Sequence, residues 1–211
     1  EELGEQEPND VTGVLTVGAV PTAVAPLLAP GLAELRRRRP HLRVSLATDD
    51  AEALEERLAR GMIDAALTMR PSSPPMGFRF APVLAECFKV VAPGEAVGET
   101  DTELLQSRPY IRFRGHAWIA QLIEQELTRR RLHLEAAMEI DTLTGVLALV
   151  DAGLGVSILP ERQIDAHAGS SLRLLSFGRP AVGRTLGLLW RPDQPKAPQI
   201  SELLEALLAA V

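Results

Sequence analysis

The sequence predicts an α/β protein built of two lobes. Short apolar runs that favour strands alternate with longer segments of helical periodicity, which is the pattern of an α/β domain. The 211 residues, 46% hydrophobic and 24% charged, have the proportions of a soluble globular protein of one or two domains. The composition changes at Pro93–Thr100, after a long extended stretch, and we interpret this segment as a crossing between the lobes.

The first half of the chain alternates strand and helix from its start. Leu28 and Leu32 lie on one helical stripe, and the helix that carries them ends before Pro40, because the residue before a proline avoids the helical region. Asp49, with Glu52 three residues later, predicts a capping box for the second helix. In chain order we expect a strand at Val14–Gly18, a helix at Leu27–Arg38, a strand at Arg43–Thr48, a helix through Leu54 and Leu58 that ends at Gly61, and a strand at Ile63–Met69.

The second half continues the same alternation after a loop at Pro71–Gly77. Ile119, Ile123 and Leu127, spaced by four, predict its longest internal helix. The expected elements are an extended stretch at Phe80–Ala92, a short helix near Leu104, a strand at Tyr110–Phe113, a helix at Ala117–Arg131, a strand at Ala136–Ile140, a helix at Thr142–Ala152 that Gly153 ends, strands at Val156–Leu159, Leu172–Phe177 and Thr185–Trp190, and a helix at Ile200–Val211.

Charge and composition exclude several classes of function. The net charge is −6, from 22 Lys and Arg against 28 Asp and Glu, whereas a compact DNA-binding domain usually carries a basic face. One cysteine, Cys87, excludes an intramolecular disulfide and a cysteine-based zinc cluster. The four histidines have no metal-ligand spacing, and no nucleophile elbow or phosphate loop is present, so we expect neither a metal nor a cofactor nor an enzyme.

Several segments resemble, in order, the effector-binding (regulatory) domain of LysR-type transcriptional regulators. The segment most similar to the family is Val150–Pro160, VDAGLGVSILP. The resemblance runs from about Gly13 to about Leu208, and order and spacing together make it specific. The other matching segments are GVLTVG at Gly13–Gly18, LLAP at Leu27–Pro30 with Leu32, Leu35 and Pro40, LARGMIDAAL at Leu58–Leu67, VLAE at Val83–Glu86, VVAP at Val90–Pro93 and the strand Leu186–Trp190.

This resemblance implies a fold and an assembly. The fold is two Rossmann-like lobes joined by two crossover strands, as in type II periplasmic binding proteins. Lobe I would be residues 11–91 plus 187–211 and lobe II residues 92–186, with a small-molecule effector held between them. Residues 1–10 would be a linker remnant after an N-terminal winged helix-turn-helix that is missing here. The family further implies a cytoplasmic bacterial protein, a homodimer (a tetramer at full length), DNA contact only through the missing domain, and no membrane contact.

Candidate effector-binding residues follow the strands, because ligands of open α/β sheets bind beyond the carboxyl ends of strands. Arg70 and Arg114 favour a small carboxylate effector, since an arginine can hold a carboxylate by two parallel hydrogen bonds. Arg112 and Arg114 flank Phe113 and are expected on opposite faces, so that Arg114, nearer the strand end, lines the site. The full set is Pro21, Thr22, Ala23, Thr48, Met69, Arg70, Arg114, His116 and Thr142.

Each candidate has a structural alternative. Thr22 could simply cap the first helix, and Arg70 could be a solvated loop arginine. Asp49 is interpreted as a structural cap, and Asp141 is assigned to capping so that Thr142 is left for the effector. Cys87 lies in an apolar strand without a resolving partner, which argues against redox sensing.

Alternatives also remain for surfaces and for function. The arginine runs Arg36–Arg39 and Arg129–Arg131 favour solvated faces or a subunit interface over DNA contacts. We expect dimerisation through the helices Leu27–Arg38 and Ala117–Arg131. The rival functions are a periplasmic solute-binding protein of the same fold and, with less support, an enzyme such as a prephenate dehydratase-like or transferase domain on that scaffold.

Overall fold

The structure is a computed structural model that describes residues 11–114, 117–165 and 171–211. The proposed linker remnant, residues 1–10, and the candidate His116 lie outside the described residues. The chain forms two compact units: the described residues 11–85 with Thr185–Val211, and Glu86–Arg184. The lobe boundaries proposed from the sequence lie instead between residues 91 and 92 and between residues 186 and 187. Those boundaries stay a proposal.

The first unit is a sheet covered by helices. Strands β2, β1 and β3 are parallel and adjacent in that order, and β9 runs antiparallel to β3. Helix α2 packs against α8, and α3 packs against β3 and β1. The elements are β1 (Gly13–Ala19), α1 (Pro21–Ala23), a π-helical turn (Val24–Leu28), α2 (Ala29–Arg38), β2 (Leu42–Thr48), α3 (Ala51–Ala59), β3 (Ala65–Met69), the first part of β4 (Arg79–Pro93), most of β9 (Gly183–Trp190) and α8 (Ala197–Ala209).

The first helical region begins six residues before the predicted start at Leu27 and contains a wide turn. Pro21 occupies the first helical position, where a missing N–H costs nothing because that group has no helical partner. Pro26 lies inside the π-helical turn Val24–Leu28. A proline ring within an α-helix meets the carbonyl group four residues earlier, and the wider π turn relieves this contact.

Capping of α3 corrects one prediction. The Asp50 carboxylate, not that of Asp49, accepts a hydrogen bond from the Ala53 N–H at 2.8 Å and is the N-cap. The Asp49 carboxylate accepts from the Asp50 N–H and pairs with Arg57 at 3.4 Å. The helix ends as predicted at Gly61, whose φ of +69° favours glycine.

The second unit has its own core and sheet. Strand β4 pairs antiparallel with both β7 and β8, while β5 and β6 form a parallel pair next to α6. The core contains Phe88, Leu104, Ile111, Ile123, Val150 and Phe177, all buried. The elements are the rest of β4, α4 (Asp101–Gln106), β5 (Tyr110–Phe113), α5 (Ala117–Arg129), β6 (Ala136–Ile140), α6 (Leu143–Asp151), β7 (Ser157–Pro160), α7 (Glu161–Asp165) and β8 (Leu172–Ser176).

The predicted strands β5 and β6 are confirmed residue for residue. Helix α7 was not predicted, because Pro160 ended the strand signal and five residues are too few to give a helical period.

A buried ion pair joins β4 to β9 at the two ends of the second unit, where Glu86 is its first residue and Arg184 its last. The Arg184 Nε donates to the Glu86 Oε1 at 2.6 Å, and both side chains are at most 1% exposed. The other carboxylate oxygen of Glu86 accepts from the Arg162 N–H at 3.3 Å. Burial lowers the pKa of Arg184, and the charge of Glu86 opposes that shift. The pair therefore fixes β4, β9 and the start of α7 to one another.

Candidate functional site

Six of the candidate residues lie at one edge of the first unit's sheet, where the carboxyl ends of β1, β2 and β3 meet. Backbone bonds hold this edge together. The Val20 N–H donates to the Leu67 carbonyl at 3.0 Å, and the Asp49 N–H donates to the Ala19 carbonyl at 3.3 Å. The six residues are Pro21, Thr22 and Ala23 after β1, Thr48 at the end of β2, and Met69 and Arg70 at the end of β3.

Thr22 lies in the first turn of the helical region and is 4% exposed. The N-cap is Val20, with an extended backbone, so the alternative that Thr22 is the cap is wrong. Polar groups at this position lie close to the positive end of a continuous helical segment of α1, the π turn and α2. The edge therefore presents a helix N-terminus toward any anion bound there.

Arg70 offers the charge that an anionic effector needs. Its side chain is exposed, and its guanidinium carbon lies 5.8 Å from the centre of the Phe80 ring. Its backbone N–H donates to the Thr185 carbonyl at 2.8 Å, which fixes the base of the side chain. Within the described ranges, no carboxylate forms an ion pair with Arg70. Met69 beside it is 8% exposed and mainly packs inward.

Two candidates, Arg114 and Thr142, lie in the second unit. Arg112 and Arg114 both contact Glu139, at 3.1 and 2.8 Å, so the expectation that they point to opposite faces is wrong. Residues i and i+2 of a strand share a face, and the parallel register sets Arg112 beside Glu139 on β6. Hydrogen bonds from Arg114 and then from Arg112 lower the pKa of the Glu139 carboxyl. An effector at Arg114 would therefore compete with Glu139.

Thr142 is the N-cap of α6 by its extended backbone, yet its side chain makes no capping bond. Asp141 precedes the cap, so the assignment of capping to Asp141 is wrong. The Thr142 side chain is exposed, which leaves its hydroxyl accessible at the start of the helix.

Sequence reasoning missed Phe80 and Glu139, the side chains that contact the two candidate arginines. The signal for Glu139 is the parallel register of β5 and β6, which the order of the elements alone does not give. Among the described residues, no group of three or more His, Cys, Asp and Glu side chains has a metal-binding arrangement. Over the same ranges no helix is both long and apolar enough to cross a membrane.

Comparison with known proteins adds two relatives that are transcriptional regulators. The nitrogen assimilation regulatory protein nac of Klebsiella aerogenes is 25% identical over 202 residues, 94% of this chain and 66% of the relative. A probable hydrogen peroxide-inducible genes activator of Streptomyces viridosporus is 29% identical over 208 residues, 95% of this chain and 66% of the relative. The chain thus spans just under two thirds of the length of these regulators.

Solved structures share the fold. A cysteine variant of full-length OxyR from Pseudomonas aeruginosa matches with a TM-score of 0.81 at 23% identity, over 96% of this chain and 69% of that chain. A hydrogen peroxide-bound cysteine variant of OxyR from Corynebacterium glutamicum matches with a TM-score of 0.77 at 26% identity, over 95% of this chain and 65% of that chain. The type II periplasmic-binding-protein-like fold expected from the sequence is therefore confirmed.

The family model of the LysR substrate binding domain matches residues 8–211, nearly the whole chain. That match agrees with the fold of the solved OxyR structures and with the regulators among the relatives. This chain belongs to the LysR substrate-binding domain family.

Proposed function

We propose that this chain senses a small carboxylate at the sheet edge formed by the carboxyl ends of β1, β2 and β3. The observation that carries the proposal is Arg70. Its backbone is fixed by a hydrogen bond to Thr185, and its side chain has no carboxylate partner in the described chain. The helix N-terminus at Pro21 and Thr22 adds a second attraction for negative charge. A bidentate bond to Arg70 would fix the orientation of a carboxylate.

Arg114 and Thr142 are proposed as further contacts in the second unit. Glu139 already neutralises Arg114, so binding there means exchange of one carboxylate for another. The Thr142 hydroxyl, which makes no capping bond, is free to bind a polar group of the effector. That the effector is held between the two lobes stays a prediction.

The effector acts by shifting an equilibrium. A ligand changes an assembly only by as much as its affinity differs between two states. We propose that occupancy biases a homodimer of these domains, within a tetramer at full length, and so alters DNA binding by a separate domain. We propose that this domain occupies part of the third of the regulators' length that this chain does not span, and that the whole protein is cytoplasmic.

A groove on the first unit supports self-association. Residues of α2 and β2 form a cavity of about 210 Å³, which is lined by Leu32, Leu35, Arg36, Pro40, Leu42, Val44 and Leu46. Because β2 is the outermost strand of its sheet, its outer backbone groups are also open to a second copy. Helix α2, which lies within the segment Leu27–Arg38 expected to mediate dimerisation, forms one wall of the groove.

Peroxide sensing through a disulfide within this chain is not proposed. Several relatives are named for hydrogen peroxide, and the OxyR structures include cysteine variants. A disulfide needs two cysteines, and this chain has one, Cys87, half-buried in β4. The similarity to regulators also favours an effector-sensing function over that of a periplasmic solute-binding protein or an enzyme.

The proposal is tested by thermal unfolding of the chain with acetate, pyruvate, succinate and benzoate, each beside its neutral amide. A carboxylate at about 100 times its Kd should raise Tm by roughly 5–10 °C. Arg70→Ala should abolish the shift because the bidentate partner is lost. Arg79→Ala, at another exposed arginine of the first unit, should leave it unchanged. Stabilisation by amides alone would contradict a carboxylate effector.

A further inference from the structure

A second cavity lies in the first unit, between α3, the loop that precedes β4, and β9. It has a volume of about 310 Å³, which is within the size range of small-molecule sites. Its floor is apolar, with Leu189 fully buried and Phe78 partly buried. None of the residues proposed for the effector lines it. Its lining residues are Glu52, Glu55, Glu56, Ala59, Pro75, Phe78 and Leu189.

The rim carries negative charge that the described chain leaves unpaired. Glu56 is engaged by Arg60, one turn further along α3. Arg57, the other arginine of this helix, points to Asp49. Neither Glu52 nor Glu55 has a hydrogen-bond or ion-pair partner anywhere in the described chain. Two adjacent carboxylates therefore stand over an apolar floor without a counter-ion.

The environment of Glu55 disfavours its negative charge. Burial raises the pKa of the Glu55 carboxyl, and the charge of Glu52 raises it further. A positive group in the cavity would oppose both effects, because an opposite charge favours the charged form of a carboxyl group. Phe78 lines the same cavity, and aromatic rings attract cations.

We propose that this cavity binds a small organic cation that has an apolar body. The charged head, an ammonium or guanidinium, lies between Glu52 and Glu55, and the carbon chain packs on Phe78 and Leu189. A bare divalent ion fits less well, because it would leave the apolar floor unused. The proposal is independent of the carboxylate effector, since the two sites share no residue.

The test compares n-butylguanidinium with n-butylurea, which has nearly the same shape and no charge. Calorimetric titration of the chain at pH 7 should detect the guanidinium and not the urea. Glu52→Gln combined with Glu55→Gln should weaken binding tenfold or more, and Phe78→Leu should weaken it several-fold. Glu135→Gln, an exposed glutamate of the second unit, is the matched control and should bind as the unmodified chain does.

Two results would overturn the proposal. One is equal binding of the urea and the guanidinium, which would reduce the cavity to an apolar groove. The other is unchanged guanidinium affinity in the Glu52 and Glu55 variant, provided that its circular dichroism and Tm show a folded protein. Arg70→Ala should bind n-butylguanidinium as the unmodified chain does. This variant therefore separates a failure of the cation proposal from a failure of the carboxylate proposal.

Discussion

At the scale of single residues, Asp64 joins three parts of the first unit. Its carboxylate accepts from the Thr16 N–H at 2.7 Å and from the Lys196 Nζ at 2.8 Å. Its carbonyl accepts from the Gln194 Nε2 at 2.9 Å. One side chain thus ties β1 to the segment that leads into α8, and its bond to Lys196 joins residues 132 positions apart in the chain.

Asp64→Ala should lower the free energy of unfolding by about 2 kcal/mol, because the part-buried Thr16 N–H loses a charged acceptor. Lys196→Ala should cost less, since its ammonium is 39% exposed and screened by water. Urea unfolding measures both, with the exposed Asp193→Ala as control. Equal losses for Asp64 and Lys196 would mean that the ion pair, not the backbone bond, dominates.

Asp101 makes stability depend on pH. Burial alone would raise its pKa, but hydrogen bonds from the Arg130 guanidinium, at 2.5 and 2.9 Å, and from the Gly178 N–H lower it overall. The unfolded carboxyl titrates near 3.9. Because the folded value is lower, the stabilisation is complete above the unfolded value and is lost as pH falls through the folded one.

Asp101→Asn should therefore lower Tm by a constant amount between pH 5 and 8, and by less below about pH 4. Thermal unfolding across that range checks the expectation. Asp151→Asn, at an exposed aspartate, should show no such change of the gap with pH. A gap that persists undiminished at pH 2.5 would show that the carboxylate charge is not what stabilises the fold.

Some single-residue roles could be predicted from sequence, and others depended on register. Arg70 was placed correctly after its strand because strand ends are marked by composition. The pairing of Arg112 and Arg114 with Glu139 depends on the alignment of two strands, and no local pattern encodes that alignment. The cap at Asp50 differs from the predicted Asp49 by one residue, since either aspartate is chemically suited to cap.

At the scale of elements, α2 and α8 pack closely against each other at Gly31. A Cβ on Gly31 would lie 2.5 Å from the Leu207 Cδ2 and 3.2 Å from its Cα. The first contact can be relieved by rotation of the side chain, but the second involves backbone. The lack of a side chain at Gly31 therefore sets the distance between the two helices.

Gly31→Ala should destabilise the protein by roughly 1–3 kcal/mol through overpacking, although alanine favours a helix by about 1 kcal/mol over glycine. The exposed Ala33→Gly gives the propensity effect alone in the same helix. Thermal unfolding of both variants separates the two contributions. A Gly31→Ala protein more stable than the parent would mean that α8 moves away without loss.

The start of this helical region could not be predicted from the sequence. Three prolines in ten residues delayed the expected helix start to Leu27, since proline usually breaks a helix. Pro21 at the first position and Pro26 within a π turn are both tolerated, so the helical segment starts before its periodic leucines do. A π turn has no sequence signature comparable to a cap, and it could be found only in the structure.

At the scale of the whole molecule, the fold was predictable because many segments, each a weak match to the LysR family by itself, occur in the order that the family has. The net charge of −6 fits the proposal that DNA contact belongs to a separate domain. The site was less predictable, because the chemistry at a strand end depends on which side chains neighbouring strands bring beside it. Arg70 and Arg114 look alike in sequence and differ in structure by one neutralising glutamate.

Self-association gives a prediction for the whole molecule. Leu46, 49% exposed in the groove beside α2, should contribute to a dimer interface more than to the fold. Leu46→Glu should shift the chain toward monomer by tenfold or more in the dimer dissociation constant, with little change in Tm. Sedimentation equilibrium measures the shift, and Val97→Glu, 76% exposed in the second unit, is the control. Unchanged association would exclude this groove as an interface.

The buried pair of Glu86 and Arg184 limits how this domain can diverge. The two residues lie 98 positions apart in the chain, yet loss of either one leaves a lone buried charge at a cost of about 3–5 kcal/mol. Replacement of both by apolar residues of similar size can be neutral. Descendants of this sequence should therefore keep both charges or lose both together, and a lineage that carries only one should be found with a compensating change nearby.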